Sequence, residues 1–167
     1  MKTKYIVFII IILVIIIITL LYFLKSRKEN VIVKEVEIKD VNSFYLSYSN
    51  GYAMNSNIRY ELGLNKETNE YVAKIKPYEI PEEDKKEIVV DKNKMLELED
   101  LLKKHQVGKW NGFDKSDQGV LDGDSFSLSI MMDNGNRINA SGYMMWPEGY
   151  RNFIADIDEF FMNIYGG

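Results

Sequence analysis

The sequence predicts an α+β protein: an N-terminal transmembrane helix followed by an antiparallel sheet with two helices packed on one face. Three observations carry that prediction. Residues 5–24, YIVFIIIILVIIIITLLYFL, hold no charge, no proline, no glycine and one polar side chain, Thr19. Several later stretches alternate apolar and polar residues with a period of two, the pattern of strands wetted on one side. Two further stretches space their apolar residues as one face of a helix.

Residues 1–4 form a short basic head, and 5–24 follow as the anchor. A twenty-residue helix is about 30 Å long, the thickness of the hydrocarbon layer of a bilayer. The run is apolar all round, unlike an amphipathic core helix. It is longer than a cleavable signal's apolar region and lacks small residues at a cleavage site, the first alanine of the chain being Ala53. No small residues recur at i and i+4 to pair it with another helix, and no ionisable group lies at mid-depth, so it reads as an anchor only. Tyr5 and Tyr22 sit near its two ends, where aromatic rings favour the interface. Lys2 and Lys4 precede the run; Lys25, Arg27 and Lys28 follow it. The charge count alone favours a cytoplasmic C-terminal domain. A short basic head before a long apolar run instead has the form of a signal-anchor, and large domains cross largely regardless of flanking charge. The domain is therefore expected outside.

Residues 25–30 are a polar linker, and 31–167 make one domain, long enough for its own core. In the first half, Ile32, Val36 and Ile38 predict a strand, followed by Phe44, Leu46 and Tyr48, by Ile58, Tyr60, Leu62 and Leu64, and by Tyr71, Ala73 and Ile75. The loop from Asn65 to Asn69 has hairpin length and that from Asn50 to Asn57 is longer. Ile88–Val90 is a short fifth strand. Asp91 can cap a helix whose stripe is Met95, Leu98, Leu101 and Leu102, with Glu99–Lys103 and Asp100–Lys104 paired on its outer side. A hairpin runs from Phe126 to Met132 and returns from Arg137 to Ala140, with Asn134-Gly135 as a two-residue turn. The last helix begins at Trp146-Pro147 and buries Tyr150, Phe153, Ile154, Ile157, Phe160, Phe161 and Ile164.

All 25 acidic residues but only 16 of the 21 basic ones lie from Glu29 onward. An acidic domain has the wrong sign for a phosphate backbone or an anionic lipid surface, which argues against nucleic-acid binding. His105 is the single histidine and cysteine is absent. A zinc site or a Ser-His-Asp triad therefore lacks its parts, and His105, at the end of a helix, is expected to meet free carbonyls. Asp114, Asp117, Asp122 and Asp124, on a glycine-bent loop, are the candidate metal ligands. Laid on Asp114, the calcium-loop template passes Ser116, Gln118 and Gly119 but ends on Ser125, where a bidentate glutamate is required. The segment thus reads as a pair of turns with Asx hydrogen bonds, and no cofactor is implied. Ser141-Gly142 lacks the preceding glycine and the base of a nucleophile elbow. The paired acids Asp122/Asp124 and Glu82/Glu83 would serve glycoside hydrolysis only across a cleft. Trp110, Tyr143, Trp146 and Tyr150, with Phe113 nearby, are the candidate binding surface: exposed, they form a platform for a sugar ring or a protein; buried, they close a small core.

Trp110-Asn-Gly-Phe113, Val120-Leu-Asp-Gly123, Phe126-Ser-Leu-Ser-Ile130, Ala140-Ser-Gly142 and Trp146-Pro-Glu-Gly-Tyr150, in that order, resemble a family of uncharacterised membrane-anchored or secreted proteins of Gram-positive bacteria. The resemblance runs from about Ser43 to the C-terminus. It implies an envelope location and an α+β fold, but no activity. The expected function is that of a single-pass membrane protein, held in the lipid bilayer through residues 5–24, whose domain binds an envelope protein or cell-wall ligand. A carboxylate- or metal-dependent envelope hydrolase and a cytoplasmic tethered regulator are the alternatives.

Overall fold

The computed structural model describes residues 12–20, 35–49, 57–77, 81 and 84–166. Two compact units divide the chain, Met1–Ile32 and Val33–Gly167. In the first, residues 12–20 form helix α1, with its isoleucine, leucine and valine side chains exposed. Thr19 satisfies its hydroxyl internally by donating to the Ile15 and Ile16 carbonyls. Among the described residues no helix is long and apolar enough to cross a membrane. The remainder of the 5–24 run, like the linker 25–30, lies outside the described residues.

The second unit is α+β. Its strands are β1 (Val41–Ser49), β2 (Ile58–Asn65), β3 (Glu70–Lys76), β4 (Lys86–Val90), β5 (Asp114–Ser116), β6 (Ser125–Met132) and β7 (Arg137–Tyr143). Helix α2 (Lys92–Lys104) and a 3-10 turn (Val107–Trp110) fall between β4 and β5, and α3 (Tyr150–Gly166) closes the unit. The seven strands form one sheet in the order β4-β3-β2-β1-β6-β7-β5. Every pairing is antiparallel except β5 with β7. The sheet is therefore mixed rather than antiparallel. β5 is too short to show a period, and the chain reaches β7's free edge from the 3-10 turn, in the parallel sense.

The register explains the core. Phe44 opposes Leu62 and Ile130, Leu46 opposes Tyr60 and Leu128, and Tyr60 opposes Ile75, so these side chains share one face. That face buries Phe44, Leu46, Tyr60, Leu62, Ala73 and Ile75 beneath Met95, Leu98 and Leu102 of α2 and Phe153, Ile157 and Phe161 of α3. The Phe161 ring stacks on Phe44 at 5.8 Å and on Tyr60 at 4.5 Å. The opposite face carries Ser43, Tyr45, Ser47, Ser127 and Ser129 and stays wet, as the alternation predicts.

Several local expectations are revised. Residues 35–39 form no strand: the Val36 N–H donates to the Gly108 carbonyl (3.1 Å), taking this segment across the 3-10 turn instead of along the sheet. Asp91 does cap α2, its carboxylate accepting from the Asn93 N–H at 2.7 Å. Glu99, placed on the outer side by its spacing, is buried; it accepts from the Val41 N–H (3.0 Å) and from Lys103 (2.6 Å). Lys104 turns from Asp100 to Asp156 of α3, at 2.6 Å. The β6–β7 loop has three residues, Asp133–Gly135, because the Met132 N–H pairs with the Asn136 carbonyl and Gly135 alone takes a positive φ of 82°. The last helix starts at Tyr150, since Pro147 and Gly149 form a turn in which Tyr150 N–H meets the Pro147 carbonyl.

Candidate functional site

Both tryptophans converge on one open cleft of about 690 Å³, within the range of small-ligand sites. One wall is the segment leaving α2: Gln106, then Lys109 and Trp110 of the 3-10 turn, then Phe113 and Lys115 at β5. The other is Trp146-Pro147-Glu148-Gly149, the turn ahead of α3. A smaller hollow of about 270 Å³ shares Trp146, Pro147 and Gly149 with the cleft, adding Tyr150, Arg151 and Asn152 of α3. Trp146 thus lines two adjoining concavities.

Each wall rests on a glycine that no other residue can replace without displacement. A Cβ at Gly108 would lie 2.1 Å from the Val36 carbonyl oxygen, and one at Gly142 would lie 2.0 Å from the Met145 carbonyl oxygen and 2.6 Å from the Phe126 ring. A non-glycine residue in the left-handed region stands in the first wall, Gln106 at φ 52°, and another two residues ahead of the second, Met144 at φ 54°. Such conformations cost on the order of 1 kcal/mol and persist where surrounding structure over-determines them, often at functional sites. Lys109 helps hold the first wall by donating to the Gln106 side chain. Met144 holds the second: its N–H donates to the Asp124 carbonyl (2.8 Å), and its sulfur accepts from the Asp124 N–H (3.2 Å).

Three of the four aromatic residues of the predicted surface meet here. Trp110, 4% exposed, lines the cleft and Tyr150, 8% exposed, lines the smaller hollow; Trp110 abuts Phe153 edge-on at 5.0 Å, and Tyr150 packs on Phe126 at 4.6 Å. Trp146, half-buried, is the rim, 6.4 Å from Tyr150. Burial, reinforced by the charges of Asp158 and Asp124, pushes the Tyr150 phenol above its ordinary range, so it stays neutral. Tyr143 is not part of the site. It follows the outer face of β7, and its hydroxyl donates to the Val120 carbonyl at 3.2 Å.

The cleft's charge opposes that of the unit around it. Lys104 and the half-buried His105 both meet Asp156, at 2.6 and 2.8 Å, and these bonds hold the Asp156 carboxyl below the usual carboxylate range. His105 packs edge-on against Phe153, so its ring meets a carboxylate rather than the free carbonyls expected of it. Among the described residues Lys109, Lys115 and Arg151 have no acidic partner; Lys115 lies 5.4 Å over the Phe113 ring. Among the described residues, Glu148 is the one acid in the lining.

The other candidates are scattered. Ser141 donates to Asp114 at 2.7 Å on the outer face of β7, whereas His105 packs against α3 on the helix side, so nucleophile and base are not assembled. Asp117 caps its own turn by accepting from the Gly119 N–H at 2.9 Å, an Asx hydrogen bond, and Asp122 is exposed. Among the described residues no group of three or more His, Asp or Glu could hold a metal ion. Glu82 and Glu83 lie outside the described residues.

Lys109, Lys115 and Arg151 were not singled out by the sequence reading, although Lys-Trp-Asn-Gly-Phe-Asp-Lys (109–115) interleaves cations with aromatics. Arg151 carries no comparable signal, because only the turn at Gly149 brings it to the hollow beside Trp146. The chain matches no model of a known protein family, and no curated protein sequence matches it significantly.

Proposed function

We propose that this chain is a single-pass membrane protein, anchored through residues 5–24, that presents the Val33–Gly167 unit outside the cytoplasm as a binding module with its ligand site at Trp146. The observation that carries the reading is the cleft itself: two tryptophans, preset walls and lysines that no carboxylate among the described residues meets are gathered in one place, while Ser141 and the loop aspartates lie outside its lining. The unbroken apolar run and the motif resemblance to Gram-positive envelope proteins support the anchor and its location.

The test has two parts. A C-terminal epitope tag on intact cells should be removed by added protease; cleavage only after lysis would place the unit in the cytoplasm. Full-length protein in detergent should be retained on purified cell envelopes, and Trp146→Ala should reduce retention by about tenfold, the equivalent of about 1.4 kcal/mol. Equal retention of both proteins would remove Trp146 from the site and with it this reading.

A further inference from the structure

Resting on the binding-module reading, we propose that the ligand is a polyanionic glycan: a saccharide chain bearing carboxylate or phosphate groups, laid across Trp146 so that its charges fall in the two hollows.

The first ground is a reversal of charge. From Glu29 onward acids outnumber bases by 25 to 16, yet Lys104, Lys109 and Lys115 converge on the cleft and Arg151 on the adjoining hollow, with Glu148 as the single acid of the lining among the described residues. At physiological salt, charges farther than about 8 Å are largely screened, so a ligand in the cleft responds to these cations more than to the remote acidic surface.

The second is that the cations are differently committed. Asp156 already pairs with Lys104 and shares a hydrogen bond with His105. Lys109 and Lys115, in the cleft, and Arg151, in the adjoining hollow, retain charges that no carboxylate among the described residues meets. Two separated centres of positive charge suit a ligand with repeated anions better than one with a single anion.

The third is the surface between them. Trp146 is half-buried and borders both hollows, so its ring offers an apolar, flat support where the ligand must pass from one to the other. The apolar face of a sugar ring suits such a support, and Glu148 and Asn152 supply hydrogen-bonding groups for hydroxyls. The left-handed residues Gln106 and Met144 fix the walls before the ligand arrives, which lowers the ordering cost of binding.

The chain supplies its own reporter, since its only two tryptophans both line the cleft. Intact protein in neutral detergent is titrated, by tryptophan fluorescence, with hexagalacturonate and with its fully methyl-esterified form, then with a phosphorylated oligomannoside and its dephosphorylated form. At least one charged probe should bind about tenfold or more tightly than its neutral form, and the two pairs tell carboxylate from phosphate. The Lys109→Gln/Lys115→Gln/Arg151→Gln protein should bring that preference below about threefold with an unchanged melting temperature. Equal binding of charged and neutral forms, or no binding of either charged probe, overturns the polyanion assignment. If envelope retention still depends on Trp146 in that event, the binding-module reading survives alone; if it does not, both fall.

Discussion

Glu99 shows how much one side chain can be asked to do. Its carboxylate closes a helix-surface ion pair with Lys103 and also accepts the N–H of Val41, the buried first residue of the central strand. Burial alone would push its pKa up; the Lys103 ammonium and the Val41 N–H outweigh that and bring it below the ordinary value. A depressed folded-state pKa contributes stability that is present above the unfolded value, about 4.3, and is lost as the pH falls through the folded one. Thermal melts between pH 7 and pH 3 should therefore show a steeper acid loss for the native chain than for Glu99→Gln. Glu99→Ala should cost about 1–3 kcal/mol at pH 7, because it leaves the Val41 N–H buried without an acceptor; a melting temperature equal to the native one would contradict this role. The Lys103 partnership is legible in the i, i+4 spacing. The Val41 bond is not, because a period identifies a face and never names the tertiary partner waiting on it. Tyr48 is similar: its alternation marks a strand residue, but only the fold reveals its O–H donating to Asp158 at 2.5 Å.

Elements were legible where their period is long and missed where they are short or bent. Of the predicted stripes, Met95, Leu98 and Leu102 of α2 and Tyr150, Phe153, Ile157, Phe160 and Phe161 of α3 are buried, while Leu101, Ile154 and Ile164 are half-buried at the margin of the core. β5 escaped because three exposed residues carry no alternation, and residues 35–39 showed alternation but found their partner in the 3-10 turn. For the site, the aromatic residues were readable as candidates, yet their sorting into cleft, hollow and outer face depends on β7's alternation and on where α3 begins. The β7–α3 connection is the element whose disturbance is most informative. In Gly142→Ala the new methyl must displace the Met145 carbonyl or the Phe126 ring. Overpacking of this kind costs about 1–3 kcal/mol. Because Met145 adjoins Trp146, the substitution should also shift the tryptophan emission to longer wavelength in the folded protein. Unchanged emission together with an unchanged melting temperature would show that the wall does not depend on this contact.

Across the whole molecule, the sequence identified two faces for the sheet but not the order of its strands. Alternation says which side of a strand is buried, and nothing about its neighbours. The order β4-β3-β2-β1-β6-β7-β5 puts the unit's first strand at the centre. β1 meets β2 through a local connection, whereas its other edge takes β6, with contacts such as Ser49–Ser125 and Asn42–Asp133 lying 76 and 91 positions apart in the chain. Closing loops of that length before the pairing rewards them slows folding, so refolding from urea in detergent, followed by tryptophan emission, should take milliseconds to seconds rather than microseconds. A microsecond phase carrying the full amplitude would contradict the long-range pairing as the limiting step. There is a consequence for biogenesis. While the chain is made from its N-terminus, the β1–β4 meander can assemble with the inner edge of β1 unsatisfied, and that edge stays open until Ser125–Met132 has been synthesised. During that interval the nascent sheet offers any other extended chain a ready template, so the span from β1 to β6 sets how long the newborn protein must be shielded from its neighbours.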